Sequence, residues 1–178
     1  MERLWILITS LAAFTIVLVT ELVYVSLINA QAGPDDTPFV PRFVAGYLAV
    51  MAALIVVALV PRPEIVRVRF ALRAAAAGGL LGLGILGAWS IGLPLVLAGI
   101  LIVVVLGRTA RVSGSRLGRL MGLVAAVLAL GAAVVGLDLA GRVIVCPEAG
   151  TSSGGGTHLL GGSYQYECNS GELHMTSG

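Results

Sequence analysis

The chain reads as an all-α polytopic membrane protein: five transmembrane helices, N-terminus in and C-terminus out, followed by a small disulfide-stapled extracytoplasmic β-hairpin tail. Three observations predict this class. The 178 residues are 58% hydrophobic and only 11% charged, against roughly 25% charged in an average soluble protein. The apolar run from Ala74 to Gly107 is too long for one span, since at about 1.5 Å per residue it would reach about 51 Å across a hydrocarbon core of about 30 Å. The 11 basic residues are all arginines, and most fall in two short clusters, a pattern that records membrane orientation rather than nucleic-acid binding. The absence of Lys, with abundant Ala, Gly and Val, fits a GC-rich bacterial genome.

The transmembrane unit is residues 1–142. Leu4 to Ile28 is the first span, interrupted by Thr9, Ser10, Thr15, Thr20, Glu21, Tyr24 and Ser26. Ala30-Gln31-Ala32 resembles a small-residue cleavage site, but the preceding stretch has membrane-spanning length and contains Glu21, so it reads as a retained helix rather than a signal peptide. Ala32 to Pro38 is a turn-rich acidic connection, and Gly33, Pro34 and Pro38 exclude a helix there. Phe43 to Val60 is the second span, entered at Pro41 and closed by Pro61 and Pro63. The first basic cluster, Arg62 to Arg73, follows.

Turn chemistry at Ser90-Ile91-Gly92-Leu93-Pro94 divides the long run into a third span, 72–89, and a fourth, 93–107. Arg108, Arg111, Arg116 and Arg119 form the second cluster around Ser113-Gly114-Ser115, and the fifth span is 120–141. With five spans, both arginine clusters face one side, while the Asp35-Asp36 loop and the tail face the other, in agreement with the positive-inside rule. A single tilted helix over Ala74–Gly107 would place the two clusters on opposite sides. A faint repeat at a 46-residue offset aligns Ala53–Arg62 with Gly99–Arg108 and Arg73 with Arg119, which would make two parallel hairpins after a separate first helix.

Residues 143–178 form the tail. On the outer side of a membrane Cys146 and Cys168 are expected to be oxidised, and as the only two cysteines they form one disulfide. Closing a loop of about twenty residues contributes on the order of 3 kcal/mol in the chain-entropy model. Thr157 to Leu160, a Gly161-Gly162 turn, and Ser163 to Cys168 read as a hairpin, with Asn169-Ser170-Gly171 leading to a third short strand, Glu172 to Thr176. Tyr164, Tyr166 and Cys168 share one face by alternation. Gly154-Gly155-Gly156 reads as a flexible linker. A zinc set of Cys146, His158, Cys168 and His174 matches no paired-ligand spacing, and neither a metal nor another cofactor is expected.

Four charged residues fall near the outer boundary. Glu21 lies about 26 Å along the first helix from Leu4; Arg42 enters the second span; Asp138 and Arg142 are one turn apart in the fifth and can pair on one face. They read as a structural polar collar or, alternatively, as an outward-facing site for a proton, cation or polar ligand. Gly78 and Gly82 in the third span, and Gly118 and Gly122 in the fifth, make small-residue stripes that let helices approach closely. They serve packing within the chain or contact with a partner or second copy. Arg67, Arg69 and Arg73 are stop-transfer signals that can also grip anionic lipid headgroups.

No spacing matches a catalytic or metal motif. The expected function is that of a non-enzymatic integral membrane protein of the cell membrane, a small subunit or accessory protein of a larger assembly. Its expected partners are the bilayer and another membrane protein or a second copy, with no nucleic acid. A small transporter or channel using Glu21 and an outward-facing sensor using the tail are the alternatives.

Overall fold

The computed structural model describes residues 2–31, 39–88, 90–112, 116–146, 150–158 and 162–177. The protein is mostly helical. It has α1 (Glu2–Gln31), α2 (Phe39–Leu59), α3 (Pro63–Leu86), α4 (Gly92–Val112) and α5 (Arg116–Arg142), then β1 (Thr151–His158), β2 (Gly162–Asn169) and β3 (Glu172–Ser177). All five helices are long and apolar enough to span a membrane. The acidic connection 32–38, the 113–115 turn and Trp89 lie outside the described residues.

The division of the long apolar run is as expected, with α3 ending at Leu86 and α4 beginning at Gly92. The amides of Ser90 and Gly92 both bond the Gly87 carbonyl, at 2.9 and 2.8 Å. Gly92 has no room for a side chain, because a Cβ there would strike the carbonyls of Gly84 and Gly87. Pro94 sits in the first turn of α4, where its missing N–H costs no helical bond.

The third helix begins earlier than the expected residue 72. Pro63, read as the closing signal of α2, occupies the first turn of α3. Its fixed φ suits a helix start as well as a helix stop, so the first arginine cluster is helical from Pro63 onward, with Arg62 extended just before it.

Helix α3 is the centre of the bundle, in contact with α2, α4 and α5, while α1 closes a ring by packing on α2 and α4. Glycines make this possible on three sides. A Cβ at Gly79 would lie 2.5 Å from both Met51 Sδ and Tyr47 Oη of α2; one at Gly84 would lie 2.9 Å from the Val96 amide of α4; one at Gly78 would lie 2.7 Å from the Ala126 carbonyl oxygen of α5. Close backbone approach of this kind substitutes for the hydrophobic effect where lipid surrounds the helices. The buried core is Leu48 and Ile55 of α2, Leu80 of α3, and Leu95 and Ile102 of α4, with Ala13 and Val17 of α1.

Because α4 packs on α3 and α1 while α5 packs on α3 and α2, no second packed hairpin of the α2–α3 kind is found among the described residues. The 46-residue self-similarity does not extend to helix packing. Four hydroxyls of α1 are satisfied within the helix: Thr9, Thr15, Thr20 and Ser26 donate to the carbonyls of Trp5, Leu11, Ile16 and Leu22, at 2.8, 2.9, 2.8 and 2.7 Å, whereas Ser10 Oγ is buried with no partner among the described residues.

The tail is an antiparallel sheet of order β1-β2-β3, stapled by the Cys146–Cys168 disulfide. Two expectations are corrected. The first strand begins at Thr151, so Gly154-Gly155-Gly156 is strand and not linker. Gly162 is the first residue of β2, paired with His158, rather than a turn residue. Glycine is a poor strand former, but Tyr166 and Tyr164 on β2 lie opposite Gly154 and Gly156 and their rings fill the space that side chains there would occupy. The two rings are stacked 6.4 Å apart. Aromatic cover over a glycine edge replaces the missing cross-strand contacts. The β2–β3 turn is Ser170-Gly171, with φ of 50° and 88°, the positive values that a two-residue hairpin requires.

Candidate functional site

Most of the described charged side chains lie toward the two ends of the bundle. At the sheet end, Asp138 and Arg142 form the ion pair that their four-residue spacing predicts. Arg142 Nε and Nη2 donate to Asp138 Oδ2 at 3.0 and 2.7 Å. The pair is asymmetric: the Asp138 side chain is 6% exposed and that of Arg142 46%. Neither Glu21 nor Arg42 joins it among the described residues. Glu21 is half-buried on α1, a helix that packs on α2 and α4, whereas Asp138 is on α5, which packs on α3 and α2. Arg42 is exposed on α2. The structure therefore assembles two of the four expected collar residues.

The glycine stripes are occupied within the chain. Gly78 faces Ala126, Gly82 faces Leu130, and Gly122 lies against Phe70 and Ala74. All three belong to the α3–α5 contact. Gly118 lies further toward the arginine end of α5, where it lines a cavity.

That cavity, of about 730 Å³, lies at the arginine end. It is walled by the start of α1 (Ile6, Leu7), the end of α2 (Ala58, Leu59), the start of α3 (Val66, Arg69, Phe70, Arg73), the end of α4 (Thr109, Ala110) and the start of α5 (Gly118, Arg119). Five helix ends meeting there show that successive helices run in opposite directions. Arg69 and Arg73 enter from one face of α3 at helical i, i+4 spacing, and Arg119 enters from α5. Arg67 is also on α3, but its side chain lies outside the described residues.

The guanidiniums are unusually placed. Arg73 is 5% exposed. Arg69 Nη2 donates to the Val60 carbonyl at 2.8 Å, bonding the chain just past the end of α2, while its Nε is buried with no hydrogen-bond partner among the described residues. Beside the cavity the Arg108 guanidinium lies 4.4 Å from the centroid of the Trp5 ring, a cation–π contact joining α4 to α1. Thr109 Oγ1 is turned back to the carbonyls of Val105 and Leu106, both at 3.0 Å. The cavity thus offers fixed positive charge and N–H donors within apolar walls, and no carboxylate is among its described lining residues.

Sequence reasoning placed Arg69 and Arg73 at the lipid surface and gave Arg119 no role beyond orientation. No sequence signal joins Arg73 to Arg119 in space, and the two meet at one cavity only through the packing of α3 and α5. The zinc reading falls because both of its cysteines are consumed by the disulfide. Comparisons with protein-family models, curated proteins and solved structures find no match to the chain.

Proposed function

We propose that the chain is a non-enzymatic multi-pass protein of the cell membrane, acting as a small accessory subunit of a larger membrane assembly. Its arginine end faces the cytoplasm and its sheet faces outward. Two independent features support that orientation: both arginine clusters lie at one end, where the positive-inside rule puts the cytoplasm, and the disulfide lies at the other, where an oxidising compartment sustains it.

The observation that carries the accessory reading is the continuity between α5 and the sheet. The disulfide begins four residues beyond the end of α5 and fastens that segment to β2, and the Tyr164 hydroxyl donates to the Gly141 carbonyl of α5 at 3.3 Å. The sheet is therefore held to a helix that packs on α3 and α2 along one side only. Leu120, Leu123, Val127 and Leu128 on the other side are exposed. A peripheral helix carrying a fixed outer element is suited to join a neighbouring membrane protein through helix packing and to present the sheet beside it.

Isolation of the full chain from its native membrane in mild detergent, with mass measurement of the intact particle, tests this reading. A particle containing a second protein in fixed ratio is expected. A lone monomer, recovered after membrane crosslinking as well, contradicts it.

A further inference from the structure

We infer that the cavity at the arginine end is a binding site for a phosphoryl anion, supplied by the headgroup of an anionic phospholipid. Arginine keeps its charge in any protein environment, so the 5%-exposed Arg73 cannot escape the cost of burial by losing a proton. An unpaired buried charge is strongly unfavourable. Arg69, one turn away on the same helix face, adds a second like charge and a buried Nε that has no hydrogen-bond partner among the described residues. Arg119 brings a third guanidinium from a different helix to the same space.

An anion held between Arg69 and Arg73 resolves these features together. It neutralises the repulsion between neighbouring cations, accepts from the open Nε, and gives Arg73 a counterion. A phosphoryl group fits best, because its several acceptor oxygens match donors that converge from different directions, and guanidinium forks bind such oxygens in pairs. The walls favour a lipid as the source. Leu7, Val66 and Phe70 line the cavity together with the arginines, an amphipathic lining that suits a charged headgroup with the start of its acyl chains. Basic pockets between helix ends on the cytoplasmic side are a recurrent setting for acidic headgroups. A cavity of about 730 Å³ lies within the ordinary range for small-ligand sites, about 300–1,000 Å³.

The test uses the full chain, purified and delipidated in a non-ionic detergent, with phosphatidylglycerol, phosphatidylcholine and inorganic phosphate as separate probes. Native mass spectrometry and thermal shift report binding. Phosphatidylglycerol is expected to bind and raise the melting temperature, and phosphatidylcholine to do neither. Arg73→Gln should weaken phosphatidylglycerol binding about tenfold or more, the loss of one charged hydrogen-bonding partner. Arg119→Gln, at an exposed position on α5, should weaken it severalfold and keeps the test decisive if the buried variant fails to fold. Arg116→Gln, outside the cavity, should bind as the parent does.

Binding of inorganic phosphate alone, with the same dependence on Arg73 or Arg119, supports the anion site and overturns its assignment to lipid. Equal binding of both lipids, or anionic binding that neither cavity substitution weakens, overturns the inference. One further sign separates a ligand site from a structural one. With no ligand present, Arg73→Met should melt at or above the temperature of the parent chain, because it removes a buried charge with no carboxylate beside it among the described residues. A lower melting temperature for a folded Arg73→Met protein would contradict the inference.

Discussion

The phenol of Tyr47 on α2 donates a 2.7 Å hydrogen bond to the carbonyl of Ala129 on α5. The contact joins helices 82 positions apart, and it ties the peripheral α5 to the bundle. Tyr47 also packs beside Phe43, ring centroids 5.9 Å apart, and Phe43 in turn covers Gly136 of α5. Tyr47→Phe keeps the ring and loses the donor. It should destabilise the protein by about 1 kcal/mol, the net worth of such a bond, with unfolding in mixed micelles as the readout. An unchanged midpoint would remove the bond from the account.

Gly78 and Gly131 make an internal comparison. A methyl group at Gly78 would meet the Ala126 backbone, whereas one at Gly131 would meet nothing within 4 Å. Gly78→Ala should cost about 1–3 kcal/mol through overpacking, and Gly131→Ala should be neutral or mildly stabilising through helix propensity. Thermal denaturation of both variants in the same detergent checks the contrast.

The two members of the ion pair at the sheet end, Asp138 and Arg142, should also differ. Arg142→Ala strips the guanidinium from a carboxylate that is nearly buried, at a cost of about 1–3 kcal/mol. Asp138→Asn leaves a half-exposed arginine that can turn to water or headgroups, so its cost should be smaller. Equal effects would mean that Asp138 is better solvated than its exposure indicates.

Reduction of the Cys146–Cys168 bond should loosen the tail without unfolding the helices. The bridge closes 22 positions, worth on the order of 3 kcal/mol in the chain-entropy model. Limited proteolysis should then cut within 150–177 under reducing conditions and spare that region otherwise. Resistance in both states would assign the sheet's stability to its tyrosines instead.

The five helices were legible because each is a long apolar window, and the split of Ala74–Gly107 because lipid thickness forbids the alternative. The start of α3 was not, since Pro63 serves equally as the end of one helix and the beginning of the next. The β1 strand was hidden for a different reason. Gly154-Gly155-Gly156 has no strand propensity of its own and is held by Tyr164 and Tyr166 from the neighbouring strand, a tertiary effect that composition does not carry. The pairing of Asp138 with Arg142 was visible because it is local to one helix. The cavity was not, because Arg69, Arg73 and Arg119 meet only after five helix ends converge.

The proposed orientation of the bundle underlies both the proposed accessory role and the inferred anion site, and cysteine labelling in intact cells tests it most directly. Cys146 and Cys168 are joined and unreactive, so single cysteines can be placed at two exposed positions at opposite ends, Ser90→Cys and Glu64→Cys. A membrane-impermeant maleimide should label the first in intact cells and the second only after permeabilisation. Labelling of Glu64→Cys in intact cells, with Ser90→Cys protected, would invert the protein in the membrane and contradict the account.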